Sequence, residues 1–209
     1  MKKLFLSAIA VFLTTTIVAQ ADISECNRDI PGWGRSLGEV SFRTAKTWTT
    51  GDLEWSDVVM ATACQKETFD GGTDHPQNFK ADCRRNLEGF GDLFSWCAVA
   101  RFWRQLCPDG WRVPTTRDFI LLDEYFGGDG DRRRDSEALI TKYTEWGGVR
   151  GGACEPNGAL VDQGVGAFYW AISTVRPGKG NRLNFFTDGY VSPQGWDNKN
   201  IGHTLRCVR

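Results

Sequence analysis

Seven cysteines, Cys26, Cys64, Cys83, Cys97, Cys107, Cys154 and Cys207, all follow a leader that reads as an export signal. Met1 to Ala21 opens on Lys2 and Lys3, continues as an apolar run from Leu4 to Val18 and ends on Ala19-Gln20-Ala21, the small-residue pattern of a cleavage site. The run is shorter than the roughly 20 residues a bilayer span needs and is diluted by Ser7 and Thr14 to Thr16. The sequence therefore predicts a signal peptide over residues 1–21 and no membrane insertion after its removal. Cysteines delivered to an oxidising compartment form bridges, and an odd count leaves at least one thiol buried, reactive or joined to another chain. No pair is spaced C-x-x-C and the only histidines are His75 and His203, which argues against a zinc knuckle or a thioredoxin-type redox centre.

About 190 residues remain after cleavage, enough for one domain with a sizeable core. Losing the two leader lysines moves the formal charge from -1 to -3, that is, -1 minus 2. Such a balance gives no reason to expect nucleic acid or an anionic membrane as partner. Nine tryptophans and 24 glycines point to a loop-rich domain filled by large rings rather than to a helical bundle.

Residues 22–63 read as an amino-terminal arm packing on a main domain of residues 64–209. The arm is irregular to about Thr50, with Pro31-Gly32-Trp33-Gly34 as a turn cluster and Val40-Ser41-Phe42 as a short strand. Between Cys64 and Cys83 the polar stretch with Asp70-Gly71-Gly72 and His75-Pro76 predicts a surface loop, which a Cys64–Cys83 bridge would staple. A buried helix is expected from Asp92 to Leu106, stopped by Cys107-Pro108-Asp109-Gly110. Thr115 and Asp118 make a capping-box-like start for a second helix, with Phe119, Leu122 and Phe126 as its apolar stripe and Gly127-Gly128 as its stop. Beyond the charged loop Asp129 to Asp135, Ser136 caps a third. Strands follow at Phe168 to Ile172, Leu183 to Phe186 and Thr204 to Val208, with Asp188-Gly189 as a hairpin turn. Helices first and a small antiparallel sheet afterwards is an α+β order.

Three segments together resemble a known family. They are Cys107-Pro108-Asp109-Gly110-Trp111-Arg112-Val113-Pro114 with Phe119 and Leu122; Asn157-Gly158-Ala159 through Gly166-Ala167-Phe168-Tyr169-Trp170-Ala171-Ile172-Ser173-Thr174; and the ending Gly202-His203-Thr204-Leu205-Arg206-Cys207-Val208-Arg209. They resemble the Fibrobacter succinogenes major paralogous domain, which is similar to the carboxy-terminal domains of bacterial collagen-like surface proteins. The resemblance implies a C-type-lectin-like fold over roughly Cys64 to Arg209, in which the first and last elements meet and Cys107 pairs with Cys207. One further bridge among Cys26, Cys97 and Cys154 is expected, its members left open.

Glu155-Pro156-Asn157 and Trp196-Asp197-Asn198 resemble the paired runs of calcium-dependent lectins, although the second departs from the usual order. Calcium, the one cofactor the sequence suggests, would take oxygens of Glu155, Asn157, Asp197 and Asn198. The turn chemistry of Asn157-Gly158 points to a plain hairpin instead. Asp129-Gly130-Asp131 is followed by Arg132-Arg133-Arg134, which opposes a cation. Of Trp111, Trp146, Trp170 and Trp196, flat rings that could stack on a sugar, Trp196 stands in the most polar loop.

No nucleophile elbow, phosphate loop or zinc-hydrolase motif is present. The expectation is thus a non-enzymatic recognition domain at the cell envelope or surface, outside the cytoplasm, presenting Trp196, Asp197, Asn198, Tyr190 and Arg182 to a glycan or protein. The alternative is a structural subunit of an extracellular assembly, docked through the arm or the odd thiol. A cysteine-dependent oxidase of the formylglycine-forming kind ranks last, since its paired catalytic cysteines have no close match.

Overall fold

The computed structural model describes Cys26 and residues 37–64, 83–134 and 136–209. The expected signal peptide and the expected loop within residues 65–82 lie outside the described residues, as does most of the stretch from Asp22 to Ser36. Among the described residues no helix is long and apolar enough to cross a membrane.

The elements run β1 (Val40–Phe42), β2 (Trp48–Thr50), β3 (Leu53–Ala61), β4 (Cys83–Arg84), β5 (Leu93–Ser95), α1 (Trp96–Leu106), α2 (Thr116–Tyr125), α3 (Glu137–Glu145), β6 (Ala153–Cys154), β7 (Leu160–Val161), β8 (Gly166–Arg176), β9 (Lys179–Phe186), β10 (Val191–Asn198), β11 (Gly202–His203) and β12 (Arg206–Val208). The fold is α+β. One sheet has β3 between β1 and β12, with β2 also paired to β3; a second is the meander β10-β9-β8; a third runs β4-β5-β11-β6-β7. The strand pairings within these sheets are antiparallel.

The second helix starts as its sequence dictates: Thr115 Oγ1 accepts from the Asp118 amide, and Asp118 Oδ2 accepts from the Thr115 amide at 2.7 Å. Phe119 and Leu122 are buried, and Gly127 at φ 94° lets the chain leave. The first helix begins later than its apolar pattern suggests. Ser95 is its N-cap, accepting from the Ala98 amide at 3.0 Å, and Leu93–Ser95 is instead the strand joining β4 to β11. Ser136 precedes α3 but makes no side-chain cap bond.

Residues 37–63, expected as an arm, supply β1 to β3. Strand β3 is woven between β1 and the closing strand β12, with Arg206 opposite Val58. Trp55 of β3 is fully buried, stacks on Phe119 at 5.6 Å and meets Trp146 edge-on at 5.2 Å. Its ring and those of Tyr143, Tyr169 and Phe185 fill one core cluster. A second gathers Phe94, Trp96, Trp170 and the bridged cysteines. Two of the buried indoles bond across the core: Trp96 Nε1 donates to the Ala171 carbonyl at 2.9 Å and Trp170 Nε1 to that of Phe94 at 2.7 Å. Gly180 is required by this packing, because a Cβ there would stand 2.4 Å from Trp96 Cδ1.

Three bridges staple these clusters: Cys26–Cys97, Cys64–Cys83 and Cys107–Cys207, the last spanning 100 residues. Cys154 is the free cysteine and is buried. Three bridges fit an oxidising compartment.

Candidate functional site

The meander β10-β9-β8 has two faces, and its alternation decides which side chains meet. Tyr169, Leu183, Phe185 and Val191 enter the core. Trp170 lies opposite Arg182, and Phe168 opposite Asn184, on the other face. Along β10, Ser192 pairs with Asn184 but Gly195 pairs with Arg182, so three steps on one strand match two on its neighbour. This is a β-bulge, and it contains Pro193, which has no N–H to give a ladder. The extra residue reverses the alternation. Asp197 therefore turns inward beside Arg182, and Trp196 turns outward.

The inward residues form an aromatic and charged cluster with His203 of β11. The His203 ring stacks on Phe168 at 5.1 Å and tilts against Trp170 at 4.3 Å. The Arg182 guanidinium covers the Phe168 ring at 4.7 Å. Asp197 Oδ2 lies 3.3 Å from Arg182 Nε and 3.3 Å from His203 Nε2. These contacts are ionic in distance but poorly aligned: among the described residues Arg182 Nε and Nη1 and both His203 ring nitrogens find no hydrogen-bond partner. The cluster reaches the surface through Arg182 and Asp197, whose side chains keep 15% and 23% of their exposure.

Burial sets the protonation of the cluster. It pushes His203 down to about 4, against the pull of Asp197, so the ring is neutral near pH 7. Burial also works to raise Asp197, but His203 and Arg182 outweigh it and hold the carboxylate below its ordinary range. Burial lowers Arg182 despite Asp197. Glu155 is raised by burial first and then by the like charges of Asp197 and Asp162.

An acid response follows from His203. The unfolded chain takes up this proton near pH 6.5 and the folded chain only near 4. Stability held fully above pH 6.5 is expected to fall as the pH drops from about 6.5 to about 4, by roughly 3 kcal/mol in all. Urea unfolding at about pH 7.5, 6 and 5 checks this, with His203→Gln flattening the slope over that window. A variant that loses stability as steeply as the parent would remove His203 as the cause.

Of the residues expected to bind, Arg182 and Asp197 come together on the inner face. Trp196 points out and is 47% exposed, and Asn198 shares its side, where Lys179 Nζ donates to Asn198 Oδ1 at 2.5 Å. Tyr190 is half-buried at the far end of β9, edge-on to Phe186 at 5.8 Å with the Arg134 guanidinium 5.4 Å from its ring. Of the four residues named for calcium, Glu155 lies near enough to Asp197 to feel its charge, and Asn198 follows Asp197 on β10 with its side chain on the opposite face. Asn157 Oδ1 accepts from the Ala159 amide at 2.9 Å, and the Gly158 amide donates to the Glu155 carbonyl at 2.8 Å, which is turn geometry. Among the described residues no group of three or more His, Cys, Asp or Glu stands where it could hold a metal ion. Arg133 of the charged loop bonds buried Asp123 at 2.7 Å and also pairs with Asp129.

Sequence reasoning did not single out Phe168 and His203 as site residues, nor Arg176 and Lys179 beside Trp196. The period-two run Phe168-Tyr169-Trp170 carries part of that signal, since it places Phe168 and Trp170 on one face. Comparison with known protein families, curated proteins and solved structures finds no match to the chain.

Proposed function

We propose that this protein is an exported, non-enzymatic recognition module of C-type-lectin-like fold, presenting the outer side of β9 and β10 to a partner at the cell envelope or surface. The observation that carries this reading is Trp196. Buried rings fill both cores, yet this indole is kept 47% exposed on a bulged strand of a disulfide-held scaffold, beside Asn198 and two cations. The lectin-like assignment draws support from the Cys107–Cys207 bridge, which ties the end of α1 to β12, and from the hairpin-led meander between them. An export route agrees with the leader and with three bridges.

Cys154, the free thiol, is buried, and burial pushes it up to about 12, which is the opposite of an activated nucleophile. The same burial keeps it from joining another chain.

Trp196→Ala is expected to weaken capture of the ligand by about tenfold, with the melting temperature held within about 2 °C, because the removed ring supports no core. Immobilised glycans and cell-envelope extracts, probed with the parent and variant proteins, provide the measurement. Equal capture by both would end the recognition reading for this face.

A further inference from the structure

The outer face has a composition of its own. Strands β8 and β9 join through Pro177-Gly178, with Gly178 at φ 73°, and Arg176 and Lys179 are the pair flanking that turn. Lys179 Nζ stands 4.7 Å and the Arg176 guanidinium 5.5 Å from the centre of the Trp196 ring. Among the described residues neither cation is ion-paired with a carboxylate. The nearest acid along β10, Asp197, is turned inward by the bulge toward Arg182 and His203. A positive, aromatic patch thus stands on a chain whose formal charge is -1.

Two cations held against one exposed indole decide what the ring can recognise. A neutral pyranose laid on the indole must displace a cation from its π-face and offers no charge in exchange. An acid-bearing pyranose displaces the same cation but gives charge in exchange: its C–H face meets the ring while its anionic group takes the ammonium and guanidinium as charge-assisted partners. A protein partner needs a broader apolar surface than one indole and the neighbouring half-exposed Val175 provide. We infer that the ligand of this face is an acidic glycan, a polysaccharide bearing carboxylate or sulfate groups held by Trp196, Lys179 and Arg176. The inference rests on the recognition reading and names its ligand class.

The test titrates the exported protein against polygalacturonate and dextran sulfate, against their uncharged counterparts carboxyl-reduced polygalacturonate and dextran, and against polyglutamate as an anion without a sugar ring. At least one anionic polysaccharide is expected to bind about tenfold or more tightly than its uncharged counterpart. The R176Q/K179Q variant and Trp196→Ala should each lose about tenfold, and raising salt from about 50 to about 300 mM should weaken binding further. Equal binding of charged and uncharged polymers, still sensitive to Trp196→Ala, overturns the acidic-ligand inference while leaving the recognition reading standing. Polyglutamate binding as tightly as any polysaccharide, with no effect of Trp196→Ala, overturns it in favour of an acidic protein. Failure to bind any polymer also overturns it, and reaches the recognition reading only if Trp196→Ala leaves capture from envelope extracts unchanged as well.

Discussion

Replacing Cys107 and Cys207 together by alanine is expected to remove roughly 4 to 5 kcal/mol of stability, a third or more of the about 5 to 15 kcal/mol that a domain typically holds. The bridge closes a loop of 100 residues, and the entropy it takes from the unfolded chain grows with the logarithm of that length. Both cysteines are buried, at 2% and 0% exposure, so alanine avoids placing a hydroxyl in an apolar site. Cys64 and Cys83 are the internal control. Their 19-residue separation predicts a smaller loss, roughly 3 kcal/mol, for the same double replacement. Urea unfolding of the two variants beside the parent separates them. Equal losses would mean that local packing, rather than closure of the long loop, sets the contribution of Cys107–Cys207.

Arg206→Ala is the second large effect, expected at about 3 to 5 kcal/mol. Arg206 is fully buried, its guanidinium 3.8 Å from the Trp146 ring and 4.4 Å from that of Trp48. Nε donates to the Ser56 carbonyl at 2.6 Å and Nη1 to the Trp146 carbonyl at 2.9 Å. Burial pushes its pKa down to about 10, still charged at neutral pH. Alanine would leave a cavity, two rings without their cation and two unpaired carbonyls. Arg206→Lys keeps the charge but not the planar fork, and is expected to recover less than half of the loss. Arg206→Met refills the volume and removes the desolvated charge, so its stability should fall between alanine and the parent. Denaturant midpoints for the three variants give the order. A methionine variant as stable as the parent would show that volume alone matters here.

Much of the scaffold was legible where one short-range rule governs the chain. Thr115 and Asp118 cap their own helix, and Asp188-Gly189 turns its own hairpin, with the Phe186 amide donating to the Tyr190 carbonyl at 2.9 Å. Strand β3 was not legible. Ser56 and Asp57 are buried in its middle and break any alternation, and their partners come from elsewhere. Ser56 Oγ accepts from the Cys207 amide, and the Asp57 carboxylate is held by Arg43 and Thr44. The candidate site was half legible for a related reason. Arg182, Asp197 and Trp196 could be named from residue type, but the bulge at Pro193 decides which of them share a face. His203 reaches them only because β11 lies between β5 and β6.

The bridge pattern also bears on how the chain is made. Only Cys64–Cys83 joins cysteines that are neighbours along the sequence; Cys26–Cys97 brackets that pair, and Cys107–Cys207 passes over Cys154. A chain emerging amino end first exposes Cys154 to Cys107 well before Cys207 arrives, so oxidation in order of appearance yields Cys26–Cys64, Cys83–Cys97 and Cys107–Cys154. From that set the native pairing would require thiol exchange once Cys207 is present: its thiolate attacking Cys107–Cys154 would form Cys107–Cys207 and release the Cys154 thiol that ends unpaired.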